Sequence, residues 1–513
     1  MSKYLYIVES YEKAKKIRNL GHEVIATFGH ISEIDVLNSE IKKLNFSDIK
    51  IIPKEKRYKE IEDKIKNFNG TVIIGTDPDP EGELIGYTIK KICEKYNKDF
   101  IRNPLYGISN KAIEGFVNLN NVRKFNNNFI KYGVSRIIFD KLLSDAMTQI
   151  LTKELNDIKL GRVQHSILLI LDKYKNFYRY NLGNFFFLSK EEFLIDNIEK
   201  KEGFKLLKVD SPFNTASFYL EGLSLGNSLF NNNIDTNTLS KYLQKLYLKE
   251  YITYPRTDGI VLEEDSYNLL YYKAKRSRFP VINYKLTSQY EKGISPLKLV
   301  GDLNGDLAKS FALILRRSIA YLIKPYIVNS YIFKLKTKQN QTYNIELLYD
   351  NKKRVSSLYM PEYLIDDLDE ISLFELGMGL DEYQIIKLLS RLKIGRPSTY
   401  GYIISHLENK ELIERTNMEE ILLTGLSNDI IDILNKNLPF LTLEFYKEIS
   451  EDFYFIKQGI QDILFPIKKL IINLRKEGIN IKTLDFNNDN NIEIEYKNLW
   501  LWEERNNHID MNL

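Results

Sequence analysis

The chain holds one cysteine, Cys93, in 513 residues. That excludes an intramolecular disulfide framework and every zinc finger or ribbon built on several cysteines, and it fits a reducing compartment. No apolar run approaches the roughly 18–20 residues of a membrane span, and Met1 to Glu9 lacks the basic flank and long apolar core of a secretory signal, so a soluble cytoplasmic protein is expected. No Gly-Lys dipeptide occurs anywhere, which rules out a Walker A phosphate loop. Charge of one sign is also missing. With 73 Lys+Arg against 69 Asp+Glu the net charge is +4, so a nucleic-acid surface would have to be a local patch. Arginine is scarce as well, 18 against 55 lysines. Lysine is the default surface cation, and arginines in short Gly- or Pro-marked segments become candidates for bidentate contacts.

What is present is a folding composition, 43% hydrophobic and 28% charged, at the length of about three or four domains. The first 115 residues alternate between strand and helix signals: Tyr4 to Val8 and Thr71 to Gly75 are β-prone, while Tyr11 to Leu20 and Leu84 to Tyr96 have helical character. This is an α/β layer pattern. From about Asn118 to Tyr180 the pattern is helical, as in Arg136 to Leu143 and Val163 to Tyr174. Residues 181 to 225 read as strands (Asn184 to Leu188, Gly203 to Val209), and 236 to 325 as helices around the irregular segment Tyr251 to Asp258. Strand signals recur at Tyr331 to Lys336 and Tyr343 to Tyr349, and helices are expected from Ser372 to about Lys476. Strands that recur after a helical insertion suggest a domain entered twice by the chain.

Thr76-Asp77-Pro78-Asp79-Pro80-Glu81-Gly82-Glu83 follows the apolar run Thr71 to Gly75. Its carboxylates sit just past the carboxyl end of an expected parallel strand, where open α/β sheets place ligands. Carboxylates this dense repel unless a cation neutralises them, and oxygen ligands with no His or Cys nearby favour Mg²⁺. A solvated acidic turn opening a helix would look the same. Glu9 ends the first expected strand, and Lys13 follows on a helix, so both could face the same crevice. The set suits phosphodiester chemistry, with Mg²⁺ on Asp77, Asp79 and Glu81, Lys13 near a phosphate and Glu9 moving a proton.

Far along the chain, Ile252-Thr253-Tyr254-Pro255-Arg256-Thr257-Asp258-Gly259 interrupts a helical region. Pro255 biases Tyr254 away from the helical conformation and so presents it from a loop. A phenol is a poor nucleophile until a cation stabilises its anion, and Arg256 is two residues away. Arginines also stand in Gly161-Arg162-Val163-Gln164 and Gly395-Arg396-Pro397-Ser398-Thr399-Tyr400. Each such segment could contact phosphate or simply cap a helix.

Together these segments resemble the type IA DNA topoisomerases. Val8-Glu9-Ser10 through Lys13-Ala14-Lys15 is similar to the opening of the family's Toprim domain, Gly29-His30 to its Gly-His pair, and Thr76 to Glu83 to its acidic motif. Gly161 to Gln164, Ile252 to Asp258 and Ile394 to Tyr400 are similar to three further elements, all in family order. The resemblance implies a multidomain α/β and α fold: a Rossmann-like Toprim domain (1–117), a helical DNA-groove domain (118–180 and 375–485), a β-rich arch (181–230 and 325–374), a helical domain carrying the tyrosine (231–324) and a short tail (486–513), arranged as a torus. It implies that Tyr254 attacks single-stranded DNA to give a 5′-phosphotyrosyl bond, with Arg256 and Lys13 at the phosphate and Glu9 in proton transfer. Asp77, Asp79 and Glu81 would hold Mg²⁺. His30, Arg136, Arg162, Gln164, Thr257, Asp258, Arg396, Ser398 and Thr399 would meet DNA. Relaxation of negative supercoils would need no ATP, because the phosphotyrosine stores the bond energy, and the protein would act as a monomer.

Two departures from the pattern stand out. The family's Ala-His-Glu-Ala-Ile-Arg-Pro element has as its nearest match Tyr290-Glu291-Lys292-Gly293-Ile294-Ser295-Pro296, without the His or the Arg, and Pro80 replaces a common Arg. Other readings remain open: the topoisomerase half of a split reverse gyrase with a separate helicase partner, a Toprim nuclease or primase, and a non-catalytic DNA-binding relative. The tyrosine segment argues against the nuclease and primase, which need no tyrosine adduct.

Overall fold

A computed structural model describes residues 3–34, 51–155, 158–183, 185–195, 198–230, 234–276, 280–282, 291–299, 301–356, 358–361, 363–365, 371–417 and 419–479. Asn184, Tyr290, residues 480–485 and the tail 486–513 lie outside them.

The N-terminal region is a parallel sheet covered on both faces. Its elements are β1 (Tyr4–Val8), α1 (Tyr11–Asn19), β2 (Glu23–Ala26), β3 (Ser32–Ile34), β4 (Ile51–Pro53), α2 (Glu55–Asn67), β5 (Thr71–Ile74), α3 (Pro80–Lys95), β6 (Phe100–Arg102) and α4 (Asn110–Val117). The strand order is β2-β1-β5-β6, every pair parallel. Alternation along the strands divides their side chains between two cores. Leu5, Ile7, Val72 and Ile74 pack with Ile61, Ile65, Ile85 and Ile89 from α2 and α3. Tyr6, Val8 and Ile73 face the other way, onto Ala14, Ile17, Ile113 and Phe116 from α1 and α4. Burial on both faces explains why β1 and β5 read as continuous apolar runs. The chain leaves β1 toward β2 on one side and returns to β5 on the other, so the carboxyl ends of β1 and β5 flank the crevice where such sheets bind ligands.

Two helices follow, α5 (Asn127–Glu154) and α6 (Arg162–Tyr174). In α5, Ile130, Val134, Ile138, Leu142, Ala146 and Ile150 form one buried ridge, and Phe139, Leu143, Met147 and Leu151 form a second beside it. That broad stripe makes α5 the axis of the largest core. Next come β7 (Tyr178–Leu182), β8 (Phe185–Ser189), β9 (Glu199–Leu207), α7 (Thr215–Leu229), α8 (Thr236–Leu248), α9 (Glu264–Arg276) and α10 (Gly305–Tyr321). The strands β10 (Tyr326–Lys336), β11 (Thr342–Tyr349), β12 (Leu364–Ile365) and β13 (Leu373–Met378) then rejoin the earlier ones. One sheet has the order β12-β11-β10-β9 and the other β13-β7-β8. Leu207 stands opposite Tyr326 and Leu182 opposite Leu373, so residues on either side of the helical insertion pair directly. Tyr180, Phe193, Tyr331, Phe333, Leu335 and Leu347 fill the core between these sheets. The chain ends in α11 (Glu382–Arg391), α12 (Tyr400–Asn409), the hairpin β14 (Ile413–Arg415) and β15 (Ile421–Leu423), α13 (Gly425–Asn437), α14 (Leu443–Gln458) and α15 (Phe465–Lys476), with α13, α14 and α15 packed on α5.

Three local expectations are corrected. Thr215–Leu229, read as part of a strand region, is the helix α7, whose Phe218 and Tyr219 enter the large helical core. Its Ser, Gly and aromatic residues are weak helix formers, and tertiary packing overrides propensity. Residues from Ser372, expected to start helices, first form the edge strand β13, and a β-hairpin interrupts the later helices. Tyr178, assigned to the helical stretch, already begins β7. Among the described residues no helix is long and apolar enough to cross a membrane.

Candidate active site

Glu9 is the residue after β1, and Ser10 caps α1 by accepting the amide of Lys13. Lys13 lies in the first turn of α1, buried, with its ammonium ion-paired to Asp77. Glu9 Oε1 accepts the Asp77 amide at 2.7 Å. Asp79 caps α3, its Oδ1 accepting the Gly82 amide at 2.8 Å, and Pro80 occupies the first helical turn, where a missing N–H does no harm. Gly82 is required by space. A Cβ there would lie 2.2 Å from the Asp77 carbonyl oxygen and 2.7 Å from Glu9 Oε1, so only glycine lets α3 begin this close to the carboxylates. Glu83 turns inward instead, to a buried ion pair with Arg102 at 2.6 Å, and Arg102 also donates to the carbonyls of Ile74, Thr76 and Asp77. This fastens the acidic loop to β5 and β6.

Tyr254 arrives from 175 residues away in sequence, and its hydroxyl donates to Asp79 Oδ2 at 3.4 Å. The loop that carries it is clasped by the segment 291–297: the Thr253 amide donates to the Ser295 carbonyl, the Leu297 amide to the Tyr251 carbonyl, and Thr253 Oγ1 to the Gly293 carbonyl. Thr215 Oγ1 ties the other side by donating to the Pro255 carbonyl and accepting the Thr257 amide. The phenol ring packs edge-on against Tyr247, with the Lys13 ammonium 5.6 Å from its centroid. Arg256 lies beside Tyr254 on the rim of a small recess with Pro78, Tyr106 and Lys292.

Arg396 closes the cluster from the C-terminal helices. Gly395, at φ +81°, turns the chain back before it, in the left-handed region that favours glycine, and Arg396 reaches Asp79 Oδ2 at 3.3 Å and Glu81 Oε2 at 3.6 Å. His30 lies 3.6 Å from the other Glu81 oxygen.

The electrostatics follow from burial and from these pairings. Burial, then Asp77 and Asp79, hold the Glu9 carboxyl well above the usual range against the opposing pull of Lys13. Burial works against ionised Asp79 but is outweighed by Arg396 and the Gly82 amide, so its pKa falls. Burial and the surrounding carboxylates push the Tyr254 phenol well above 10, with Arg256 opposing. Burial, only partly offset by Glu81, lowers His30. The cluster therefore brings together a carboxyl whose pKa is raised, Glu9, a carboxylate whose pKa is lowered, Asp79, and a phenol whose pKa is raised, Tyr254.

The donor set around the acidic loop consists of hard carboxylate oxygens, which suits Mg²⁺ chemically. In this arrangement Lys13 and Arg396 already balance Asp77 and Asp79, and among the described residues no three His, Cys, Asp or Glu side chains converge on a single cation position.

Beside the cluster runs a cleft of about 800 Å³ between α5, α14 and the tyrosine loop, lined in part by Arg136, Arg162, Asp258 and Lys457. Arg162 donates to Asp140 at 2.8 Å and lies over the Phe453 ring, and Arg136 also reaches Asp140. Not every residue expected to meet DNA faces this cleft. Gln164 Oε1 accepts the Gly161 amide and caps α6, the Thr257 hydroxyl is buried on the Lys292 carbonyl, and the Thr399 hydroxyl donates to the Arg396 carbonyl. Ser398 lies in the 3₁₀ turn between Arg396 and α12. Tyr247, Arg102, Glu291 and Lys457 belong to the site without having been singled out by sequence. Only Glu291 carried a signal, as the residue standing where the family pattern has its histidine.

Residues 4–103 match the Toprim domain. The chain is 27% identical to DNA topoisomerase 1 of Aquifex aeolicus, over 89% of this chain and 95% of that protein. It is 24% identical to DNA topoisomerase 1 of Helicobacter pylori strain J99, over 94% of this chain and 76% of the relative. Reverse gyrase 1 of Aquifex aeolicus aligns at 25% identity over 91% of this chain but only 47% of its own length. The solved structure of full-length topoisomerase I from Thermotoga maritima superposes with a TM-score of 0.67 at 20% identity, covering 93% of this chain and 91% of that one, which establishes the shared fold. The chain thus carries an N-terminal Toprim domain and is homologous, along nearly its whole length, to the bacterial type IA protein DNA topoisomerase 1.

Proposed function

We propose that this protein is a type IA DNA topoisomerase that cuts one DNA strand through Tyr254, lets another strand pass and reseals the break, relaxing negative supercoils without ATP. The observation that carries this reading is the meeting of the Tyr254 hydroxyl with the carboxylate and lysine cluster of the Toprim sheet. In cleavage, the Tyr254 oxygen bonds to phosphorus and the phosphorus–O3′ bond breaks. The phenol proton passes to Asp79, which it already faces, and Glu9, whose carboxyl pKa is raised by burial and by Asp77 and Asp79, delivers a proton to the leaving 3′-oxygen. Arg256 and Lys13 supply positive charge to the phosphate under attack. Resealing is the reverse. Asp77, Asp79 and Glu81 would hold Mg²⁺, which adds positive charge at the phosphate when bound. The protein is read as a monomer acting on single-stranded segments of DNA, and Arg136, Arg162 and Arg396 as groove cations.

Incubation with Mg²⁺ and negatively supercoiled plasmid should give relaxed topoisomers, and a labelled single-stranded oligonucleotide should form a covalent adduct that the Tyr254→Phe variant cannot make. Unchanged plasmid together with no adduct from the unsubstituted protein would overturn the proposal.

A further inference from the structure

Segment 291–296 lacks the cations that the family pattern puts there, yet the space beside it does not lack one. Lys457, near the C-terminal end of α14, extends between α5 and the tyrosine loop. Its Nζ lies 2.6 Å from Glu291 Oε2, 3.9 Å from Asp258 Oδ2 and 5.2 Å from the Phe129 ring centroid. Asp258 is four residues past Tyr254, and Glu291 begins the segment that clasps the tyrosine loop, so one ammonium joins the cleft wall to the strand of chain bearing the nucleophile.

Lys457, Glu291 and Asp258 all line the cleft, together with Arg136 and Arg162. Both arginines share Asp140. An ammonium has three N–H donors, and Glu291 lies at hydrogen-bond distance from this one, while Asp258 is beyond that distance. The second Glu291 oxygen, Oε1, is buried and has no hydrogen-bond partner among the described residues. A buried ion pair with one carboxylate oxygen unsatisfied adds little net stability to the fold. Burial, and after it Asp258, raises the pKa of the Glu291 carboxyl against the pull of Lys457.

We propose that Lys457 contacts a backbone phosphate of the DNA strand lying in this cleft, and that Glu291 is the positioning residue that holds it there. The inference rests on the DNA-cleaving function proposed above. The phosphate displaces the long contact to Asp258 and leaves the Glu291 pair in place.

The test uses the full chain and a fluorescent single-stranded oligonucleotide, with binding followed by anisotropy across a salt series. Lys457→Met is expected to bind about tenfold more weakly at low salt, and to reduce the slope of log affinity against log salt by about 0.7, the value for one phosphate contact on a single strand. Lys457→Arg should restore both, and Glu291→Gln, which keeps the hydrogen bond and removes a negative charge, should bind at least as well as the unsubstituted protein. An unchanged salt slope in Lys457→Met, or an equal loss in Lys457→Arg, overturns the inference even if affinity falls. Should Lys457→Met not fold, the Lys457→Arg and Glu291→Gln variants decide the matter in the same way. A failure of the proposed function would appear instead in the unsubstituted protein, as absence of the covalent adduct.

Discussion

His165 is a neutral imidazole with no place for a charge. It is fully buried between α6 and α14, its Nδ1 is 2.7 Å from the Tyr446 hydroxyl, and burial pushes its pKa down to about 4. In the unfolded chain an ordinary histidine titrates near 6.5, so below that pH the unfolded state binds the proton and the folded state does not. Stability is therefore complete above about 6.5 and is lost as pH falls toward 4, by an amount on the order of 3 kcal/mol. Denaturant midpoints measured across this window should drop toward acid, and a His165→Gln variant should show a flatter profile. An equally steep profile in the variant would remove His165 as the cause. Residue chemistry was partly legible in sequence. Asp77, Asp79, Glu9, Lys13 and Tyr254 declared themselves through unusual spacing beside strand ends and a proline. His165 and Lys457 sit in ordinary helical patterns, and nothing in a one-dimensional string separates a buried, paired side chain from a solvated one at the same period.

Among the elements, α3 shows how a local rule and a distant requirement coincide. Asp79 caps it, Pro80 opens it, and Gly82 weakens it intrinsically while permitting its approach to Asp77 and Glu9. Gly82→Ala should thus behave unlike the same substitution in an exposed helix, where alanine stabilises. It should cost about 1–3 kcal/mol through overpacking and lower adduct formation by shifting Asp77 and Glu9. A stability gain in thermal denaturation would show that the first turn relaxes freely. Strands β1 and β5 could be read from their apolar runs, because burial on both faces leaves no polar alternation to confuse them with surface strands. Helix α7 could not, since its Ser- and Gly-rich sequence folds as a helix only against Leu239 and its neighbours in the large core.

Over the whole molecule, the cores are separate: two around the parallel sheet, one large helical core, and an aromatic one between the sheets β12-β11-β10-β9 and β13-β7-β8. A chain of this size with distinct cores should not unfold in one step. Leu335→Ala, in the aromatic core, should remove about 2–5 kcal/mol locally. Hydrogen exchange should show lost protection in β7, β10 and β13 with little change in β1 and β5, whereas uniform loss would mean a single cooperative unit. The meeting of residues 79, 254 and 396 was the part least legible from spacing, because no periodicity spans hundreds of residues. The ordered family motifs implied it, and the strand pairing that folds the chain back on itself brings it about.

That pairing has a consequence for how the chain tolerates change. Leu207 and Tyr326 are already opposite each other in register, about 5 Å apart as neighbouring antiparallel residues are. The intervening 118 residues, Tyr254 among them, leave and return through one doorway. Such a stretch is an insertion in the architectural sense: added length in its loops would leave the β9–β10 ladder its partners and register, whereas removing α7 or α8, which pack on α11 and α12, would open the large helical core.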